Sequence, residues 1–280
     1  MSEQTWFITG ASRGLGRAIT EAALAAGDRV IATARRPSHL KDLVDAYGER
    51  IVPVELDVTD ADAVRTAVDR RIDVVVNNAG YANLGPIETT SEEDFRRQFE
   101  TNFWGVYNVT RAALPGMRER GSGTIVQISS IGGRVGGSAG LGSYQAAKFA
   151  VDGLSRVLAV ETAPLGLRVL VVEPGGFATD WAGSSMTIHE VPAAYDATVG
   201  VLARGMGAAN FSAGDPKRAG EIIVRVVHGD DVPTHLPLGG NATTMAQAEA
   251  RRELAEAQKW EQVSRSADFP QAEGQASSSF

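Results

Sequence analysis

The sequence predicts a doubly wound α/β fold, in which a parallel sheet of about seven strands carries helices on both faces. Short apolar runs alternate with helix-periodic segments through the first two-thirds of the chain. Several of these runs, such as 72–76, are continuous in Val and Ile, which is typical of strands covered on both faces. A glycine-rich turn follows the first run. Ligands of such folds bind beyond the carboxyl ends of the strands, where we expect the functional residues.

The elements follow in order along the chain. Apolar runs predict strands at 5–9, 29–34, 51–56, 72–76, 124–129, 167–173 and 234–238. Helical spacing of apolar residues begins at Leu15 and ends at Gly27, and it recurs around 60–70, 91–118, 144–163, 215–228 and 244–265. The segment 58–71 leaves some fourteen residues for a helical crossover, near the minimum of about a dozen. So short a connection puts the packing of one face of the sheet in question.

The chain reads as one domain over residues 1–265. Residues 181–213 mix small residues with scattered apolar ones, which predicts a mobile covering segment over the ligand site. Residues 266–280 offer nothing to bury and predict a flexible tail.

Composition excludes several classes of function. The formal charge of −7 speaks against binding nucleic acid or an anionic membrane through a basic face. The 280 residues include no cysteine, which excludes disulfides and thiolate metal sites, and the four histidines lack metal-ligand spacing, so no metal is expected. No apolar run approaches the roughly 20 residues of a membrane span. The chain also begins without the pattern of a signal peptide, so we expect a soluble cytoplasmic protein.

The turn after the first strand is suited to binding a pyrophosphate. Gly10, Gly14 and Gly16 are spaced G-x-x-x-G-x-G, which differs from the common G-x-G-x-x-G dinucleotide fingerprint. Glycine permits a tight turn and a close backbone approach, and the helix that follows offers free N–H groups to an anion.

The end of the second strand indicates which dinucleotide binds. NAD sites place a carboxylate there for the ribose hydroxyls. Here Ala34 is followed by Arg35 and Arg36, and Arg13 lies in the glycine turn. Guanidinium groups suit a 2′-phosphate, so NADP(H) is favoured over NAD(H).

Tyr144 and Lys148 lie four residues apart in "SYQAAKFAV". On a helix this spacing stacks both side chains on one face, one turn apart. The pair is therefore either an ordinary surface pair or a phenol and an ammonium group held together for proton chemistry.

Seven motifs in the same order make the chain resemble the short-chain dehydrogenase/reductase family over roughly residues 4–240. They are Thr9-Gly10-x-x-x-Gly14-x-Gly16, "LDV" at 56–58, Asn77-Asn78-Ala79-Gly80, Asn102, "ISS" at 128–130, Tyr144-x-x-x-Lys148, and Pro174-Gly175 with Thr179. The resemblance implies a Rossmann-like fold and metal-independent hydride transfer between NADP(H) and a small carbonyl or alcohol substrate. It also implies a homodimer or homotetramer, paired through the helices around 102–118 and 144–163.

The resemblance also implies residue roles. The implied catalytic residues are Ser130, Tyr144, Lys148 and Asn102, with Asn102 relaying protons through water to Lys148. The implied cofactor-binding residues are Gly10, Ser12, Arg13, Gly14, Leu15, Gly16, Arg35, Asp57, Val58, Asn78, Ala79, Gly80, Tyr144, Lys148, Pro174, Gly175, Phe177 and Thr179. Ser130 precedes the tyrosine by one position more than is usual in the family, so Ser129 is the alternative hydroxyl.

The expected chemistry is reduction of a ketone or aldehyde by NADPH, with Tyr144 as the acid/base. A free tyrosine has a pKa of about 10, poorly matched to neutral pH. We expect Lys148, together with the positive nicotinamide ring of the oxidised complex, to lower that pKa. The alternatives are an NAD(P)-dependent dehydrogenase of hydroxysteroids or other bulky secondary alcohols, and a dinucleotide sensor without turnover.

Overall fold

The computed structural model describes residues 3–68, 71–179, 186–206 and 214–269. Within them lie nine strands. These are β1 (Thr5–Ile8), β2 (Arg29–Ala34), β3 (Ile51–Glu55), β4 (Val74–Asn77), β5 (Ala82–Leu84), β6 (Gly123–Ile128), β7 (Leu167–Pro174), β8 (Met186–Ile188) and β9 (His235–Leu238).

Seven of the strands form one parallel sheet in the order β3-β2-β1-β4-β6-β7-β9. These are the seven strands that the apolar runs predict, so the predicted fold class is confirmed. The chain winds outward from β1 to β3 and then returns to build the other half from β4. The strand order therefore reverses between β1 and β4, which opens a crevice at their carboxyl ends.

Helices cover both faces of the sheet. The α-helices are α1 (Gly14–Ala25), α2 (Lys41–Tyr47), α3 (Ala61–Val68), α4 (Glu92–Phe99), α5 (Gly105–Arg120), α6 (Gly132–Val135), α7 (Gly142–Thr162), α8 (Val201–Met206), α9 (Pro216–His228) and α10 (Gly240–Arg265). A π-helical turn (Glu100–Trp104) joins α4 to α5, and a second one (Asp196–Gly200) precedes α8.

Two hydrophobic cores lie on opposite faces because successive strand side chains alternate. Trp6 and Ile8 of β1 point into the core beneath α1, α2 and α9, whereas Phe7 points into the core beneath α3, α5 and α7. The close packing of α1 on α9 depends on Gly220. A Cβ atom at that position would lie 2.4 Å from the carbonyl oxygen of Ala18.

The shortened crossover still forms a helix. Val64 and Val68 of α3 are buried in the second core, so this face of the sheet is covered although the crossover is short. Sequence reasoning missed α2, α6, α8 and the small parallel pair of β5 with β8. Residues 181–185 and 207–213 of the predicted covering segment, and 270–280 of the predicted tail, lie outside the described residues. No helix among the described residues is both long and apolar enough to cross a membrane.

Candidate active site

A cavity of about 760 Å³ opens at the carboxyl ends of the central strands. Most of the residues predicted for the site line it. They are Gly10, Ser12, Arg13, Gly14, Leu15, Arg35, Asp57, Val58, Asn78, Ala79, Gly80, Ser130, Tyr144, Lys148, Pro174, Gly175, Phe177 and Thr179. Gly16 and Asn102 are not part of its lining.

The glycine turn closes tightly between β1 and α1. Gly10 and Gly14 have φ values of 65° and 57°, which L-residues with side chains rarely adopt. Gly16 packs beneath the turn, since a Cβ atom there would lie 2.3 Å from the carbonyl oxygen of Gly10. The Asn78 side chain braces the turn by donating from Nδ2 to the carbonyl oxygens of Thr9 and Gly10, at 2.9 and 3.2 Å. Gly14 is the first residue of α1, so the free N–H groups of that helix begin at the cavity wall.

The cavity wall is basic where β2 ends. Arg13 and Arg35 are both exposed and both line it, whereas Arg36 does not. The predicted adenine contact, Asp57, also lines the cavity, and its Oδ1 atom accepts hydrogen bonds from the backbone N–H and the hydroxyl of Thr59 at 3.0 and 2.8 Å. The strand-end carboxylate of an NAD site is therefore replaced by arginine.

Tyr144 and Lys148 are buried on one face of α7, so the reading as a surface pair is wrong. The Nζ atom of Lys148 donates to the carbonyl oxygen of Ile128 at 2.7 Å, and it lies 5.8 Å from the centre of the Tyr144 ring. The Ser130 side chain is hydrogen-bonded with Tyr144. Ser129, the alternative hydroxyl, donates instead to the carbonyl oxygen of Lys148 at 3.3 Å.

Burial controls the proton affinity of both groups. Desolvation raises the pKa of Tyr144 to about 12, and the hydrogen bond with Ser130 opposes that rise. Desolvation lowers the pKa of Lys148 to about 8. The direction for Tyr144 is opposite to the lowering expected from the sequence, because burial of the phenol outweighs its neighbours in the protein alone. The expected lowering in the complex with oxidised nucleotide stays a prediction.

Asn102 is buried in the π-helical turn, and it braces the backbone. Its Nδ2 atom donates to the carbonyl oxygen of Tyr81 at 2.8 Å, and its Oδ1 atom accepts from the N–H of Tyr81 at 3.1 Å. Both ends of the amide therefore hold the segment after Gly80 at the cavity wall. The proton relay through Asn102 stays a prediction.

The rest of the lining escaped sequence reasoning. The newly found lining side chains include apolar Ile131, Leu141, Leu202, Met206 and Met245 and polar Tyr81, Thr101, Ser138, Gln145 and Asn241. Leu141 and Gln145 carried a signal, since with Tyr144 and Lys148 they form an i, i+3, i+4, i+7 set on one helical face. Leu202, Met206 and Met245 come from distant segments, where local spacing gives no indication of a site.

Comparison with known proteins identifies the family to which this chain is related. A family model described as short chain dehydrogenase matches residues 4–188. The chain belongs to the short-chain dehydrogenase family. It is 47% identical over 267 residues to oxidoreductase BOA17 of Botryotinia fuckeliana, which covers 92% of this chain and 97% of the relative. It is also 40% identical over 185 residues to the 3-ketodihydrosphingosine reductase of Bacteroides thetaiotaomicron, covering 64% of this chain and 66% of the relative.

Solved short-chain dehydrogenase structures agree with the fold. A short-chain dehydrogenase from Streptomyces avermitilis has a TM-score of 0.89 at 43% identity, covering 96% of this chain and all of that one. A short-chain dehydrogenase from Burkholderia cenocepacia, solved in complex with NADP, has a TM-score of 0.74 at 27% identity and covers 92% of this chain and 97% of that one.

Proposed function

We propose that this short-chain dehydrogenase is an NADPH-dependent oxidoreductase that reduces a ketone or aldehyde to an alcohol, reversibly, with Tyr144 as the acid/base. The observation that carries the proposal is the buried pair of Tyr144 and Lys148 beside half-buried Ser130, in a cavity that two arginines, Arg13 and Arg35, also line. A sensor of dinucleotides needs the glycine turn, but it has no use for a buried phenol in hydrogen-bond contact with a serine.

The chain's residues fit NADP(H). The pyrophosphate would lie on the glycine turn, where Gly10 and Gly14 adopt positive φ values and carry no side chain that would block the backbone at the start of α1. Arg13 and Arg35 would bind the 2′-phosphate through charge-assisted hydrogen bonds. Asp57 would contact the adenine, and the segment from Pro174 to Thr179 would hold the nicotinamide carboxamide. The NADP bound to the Burkholderia cenocepacia relative supports this assignment.

The proton path runs through Tyr144. When bound, the nicotinamide of NADPH supplies a hydride to the carbonyl carbon of the substrate. Tyr144 donates its hydroxyl proton to the carbonyl oxygen, and Ser130 hydrogen-bonds the same oxygen and orients it. A pKa of about 12 keeps the phenol protonated at neutral pH, as a proton donor requires. Lys148, still largely protonated at pH 7 with a pKa of about 8, stabilises the phenolate that forms.

The substrate half of the cavity favours an apolar carbonyl compound. Leu141, Leu202 and Met206 pack together in one apolar cluster that lines the cavity, and Met245 of α10, packed with Ile131, lines it as well. The Bacteroides thetaiotaomicron relative is named for reducing a ketone, which supports the direction of the reaction. The apolar lining equally suits oxidation of a bulky secondary alcohol such as a hydroxysteroid, and this is the second candidate activity.

The deciding experiment measures NADPH and NADH consumption over a panel of uncharged ketones and aldehydes, with Tyr144→Phe in parallel. We expect turnover with NADPH preferred, and a loss of at least 10²- to 10⁴-fold in kcat for Tyr144→Phe, the usual contribution of a general acid. NADPH binding, followed by its fluorescence, should survive in the variant. Tight NADPH binding without turnover of any ketone or secondary alcohol would favour the sensor instead.

Two further expectations belong to this proposal. Residues 1–265 act as one domain, which is supported by the seven-stranded sheet that draws its strands from residues 5–238. The protein forms a homodimer or homotetramer through α5 and α7. The exposed apolar side chains of Phe149, Val157 and Val160 on α7 support this pairing, and light scattering of the purified protein tests it.

A further inference from the structure

Backbone hydrogen bonds attach the turn that carries Ser130 to the end of β7. The backbone N–H of Ser129 donates to the carbonyl oxygen of Val172 at 2.8 Å, and that of Ile131 donates to Pro174 at 3.0 Å. The next two residues, Gly132 and Gly133, have no side chains to anchor the turn. Arg134 is therefore the first side chain beyond Ile131 that can hold it.

Arg134 reaches back across the turn to Glu173. Its Nε atom donates to both carboxylate oxygens of Glu173, each at 2.9 Å. Only 1% of the Glu173 side chain is exposed, against 26% for Arg134. Burial raises the pKa of Glu173, and the hydrogen bond and charge of Arg134 oppose that rise. Glu173 precedes Pro174, so the ion pair joins the serine turn to the start of the nucleotide-binding segment.

A second buried pair lies beside the first. Asp152 lies one turn beyond Lys148 on α7, and its Oδ1 atom accepts a hydrogen bond from Nε2 of His235 at 2.6 Å. The carboxylate and imidazole ligand atoms of Asp152, Glu173 and His235 lie within 4.8 Å of one another, a spacing that would also suit a metal ion. The Glu173 carboxylate already accepts hydrogen bonds from Arg134, and the Asp152 carboxylate accepts one from the Nε atom of Arg156 at 2.7 Å. The cluster is thus an ionic network of protein groups.

Gly133 allows α6, which carries Arg134, to pack closely against α7, the helix of Tyr144 and Lys148. A Cβ atom at Gly133 would lie 2.7 Å from the Cβ atom of Lys148 and 2.8 Å from Oγ of Ser129. The backbone of α6 therefore rests directly on α7 at the level of Lys148. Any shift of Arg134 would move the turn relative to the helix that carries Tyr144.

We propose that Arg134 and Glu173 are positioning residues, whose buried ion pair fixes the Ser130 hydroxyl against Tyr144. The proposal rests on the proposed function, because it assigns Ser130 a role in the reaction. The reaction rate depends strongly on the placement of the reacting and catalytic groups, and displacing one of them by about 1 Å can lower the rate on the order of 10²-fold. The pair acts through Ser130 and touches neither substrate nor nucleotide in this assignment.

The test replaces both charges together, since removing one alone would leave the other buried without a partner. Arg134→Met/Glu173→Met keeps apolar bulk in the space, and Arg134→Lys keeps the charge but loses the fork of the guanidinium. The matched control is Asp28→Asn/His228→Gln. That pair is also buried, with a 2.8 Å contact, and it lies at the amino end of β2, away from the cavity.

For Arg134→Met/Glu173→Met we expect a fall of at least 10-fold in kcat, with the dissociation constant of NADPH unchanged within threefold. Arg134→Lys should recover part of the loss. The hydrogen bond with Ser130 lowers the pKa of Tyr144, so the pH profile of alcohol oxidation should move to higher pH in the double variant. The control should change the melting temperature without moving this profile. If the pair acts through Ser130, adding Ser130→Ala should cause little further loss.

Two outcomes would overturn the proposal. One is a folded double variant with kcat within twofold of wild type, and the other is a loss that adds fully to that of Ser130→Ala. If the wild type itself has no turnover, the proposed function fails, and a readout without turnover decides the positioning role. In protein labelled at the tyrosine ¹³Cζ, with Tyr144→Phe assigning the signal, the double variant must move the Tyr144 resonance in the same direction as Ser130→Ala. An unmoved resonance would reject the role.

Discussion

The ammonium group of Lys148 is held by the carbonyl oxygen of Ile128 at 2.7 Å, while it lies 5.8 Å from the centre of the Tyr144 ring. Ile128 is the last residue of β6, two positions before Ser130. The central sheet thus fixes the cation that faces the phenol, and the same strand end carries the serine. The Tyr144 phenol and the Lys148 ammonium group are both buried in this arrangement, which explains why desolvation dominates the pKa of each.

The buried ammonium should give a distinct pH dependence of stability. The folded-state pKa of Lys148, about 8, lies below its ordinary value of 10.5. Below pH 8 the folded protein therefore bears the full cost of the buried charge, and that cost fades as the pH rises toward 10.5. Relative to Lys148→Met, the free energy of unfolding of wild type should rise by about 2 to 3 kcal/mol between pH 7 and 10, at 1.36 kcal/mol per pKa unit. Urea denaturation measures the difference, and exposed Lys217→Met should give none.

The two directions of the reaction should respond oppositely to pH. Reduction requires the protonated phenol of Tyr144, whereas oxidation requires the phenolate. Because burial raises the pKa of Tyr144, the free protein holds the phenolate only at high pH. Oxidation of a secondary alcohol should rise by up to about tenfold per pH unit below the pKa of Tyr144 in the complex with oxidised nucleotide and level off above that pKa, while reduction should not increase. An oxidation rate that is flat from about pH 5 to 9 would show that Tyr144 is not the base.

The adjacent arginines after β2 offer a matched pair for testing cofactor choice. Arg35 lines the cavity, whereas Arg36 does not. A charge-assisted hydrogen bond contributes about 1.5 to 3 kcal/mol, so Arg35→Ala should weaken NADPH binding by roughly 10- to 100-fold. NADH binding should change by less than about twofold, and Arg36→Ala should leave both affinities near those of wild type. Equal weakening of both nucleotides by Arg35→Ala would contradict a 2′-phosphate contact.

The sequence was most informative where the structure is locally determined. The strands read as continuous apolar runs because both faces are covered, and the glycine turn was legible because Gly10 and Gly14 adopt backbone angles that other residues rarely tolerate. The spacing of Tyr144 and Lys148 placed them on one face, but burial, which decides their pKa directions, is a tertiary property. Met206 and Met245 reach the cavity from separate segments, and only the folded chain brings them together.

The spacing of residues in the sequence also did not predict which charged residues pair with one another. Arg134 and Glu173 are far apart in sequence, and they meet because β6 and β7 are neighbours in the sheet. His235 and His228 lie in separate segments, and each pairs with a distant aspartate. Local patterns therefore specified the scaffold and the catalytic motif, whereas the groups that hold the motif in place depend on strand order.

Two glycines in helices should respond in opposite ways to alanine. A Cβ atom at Gly220 in α9 would lie 2.4 Å from the carbonyl oxygen of Ala18, which is backbone and cannot move aside without parting α9 from α1. Gly220→Ala should therefore destabilise the protein by about 1 to 3 kcal/mol, as overpacking does. Gly153 in α7 meets nothing within 4 Å, so Gly153→Ala should stabilise by about 0.5 to 1 kcal/mol through helix propensity. Urea midpoints at neutral pH measure both effects, and a stable Gly220→Ala variant would mean that α1 and α9 pack less closely than the structure has them.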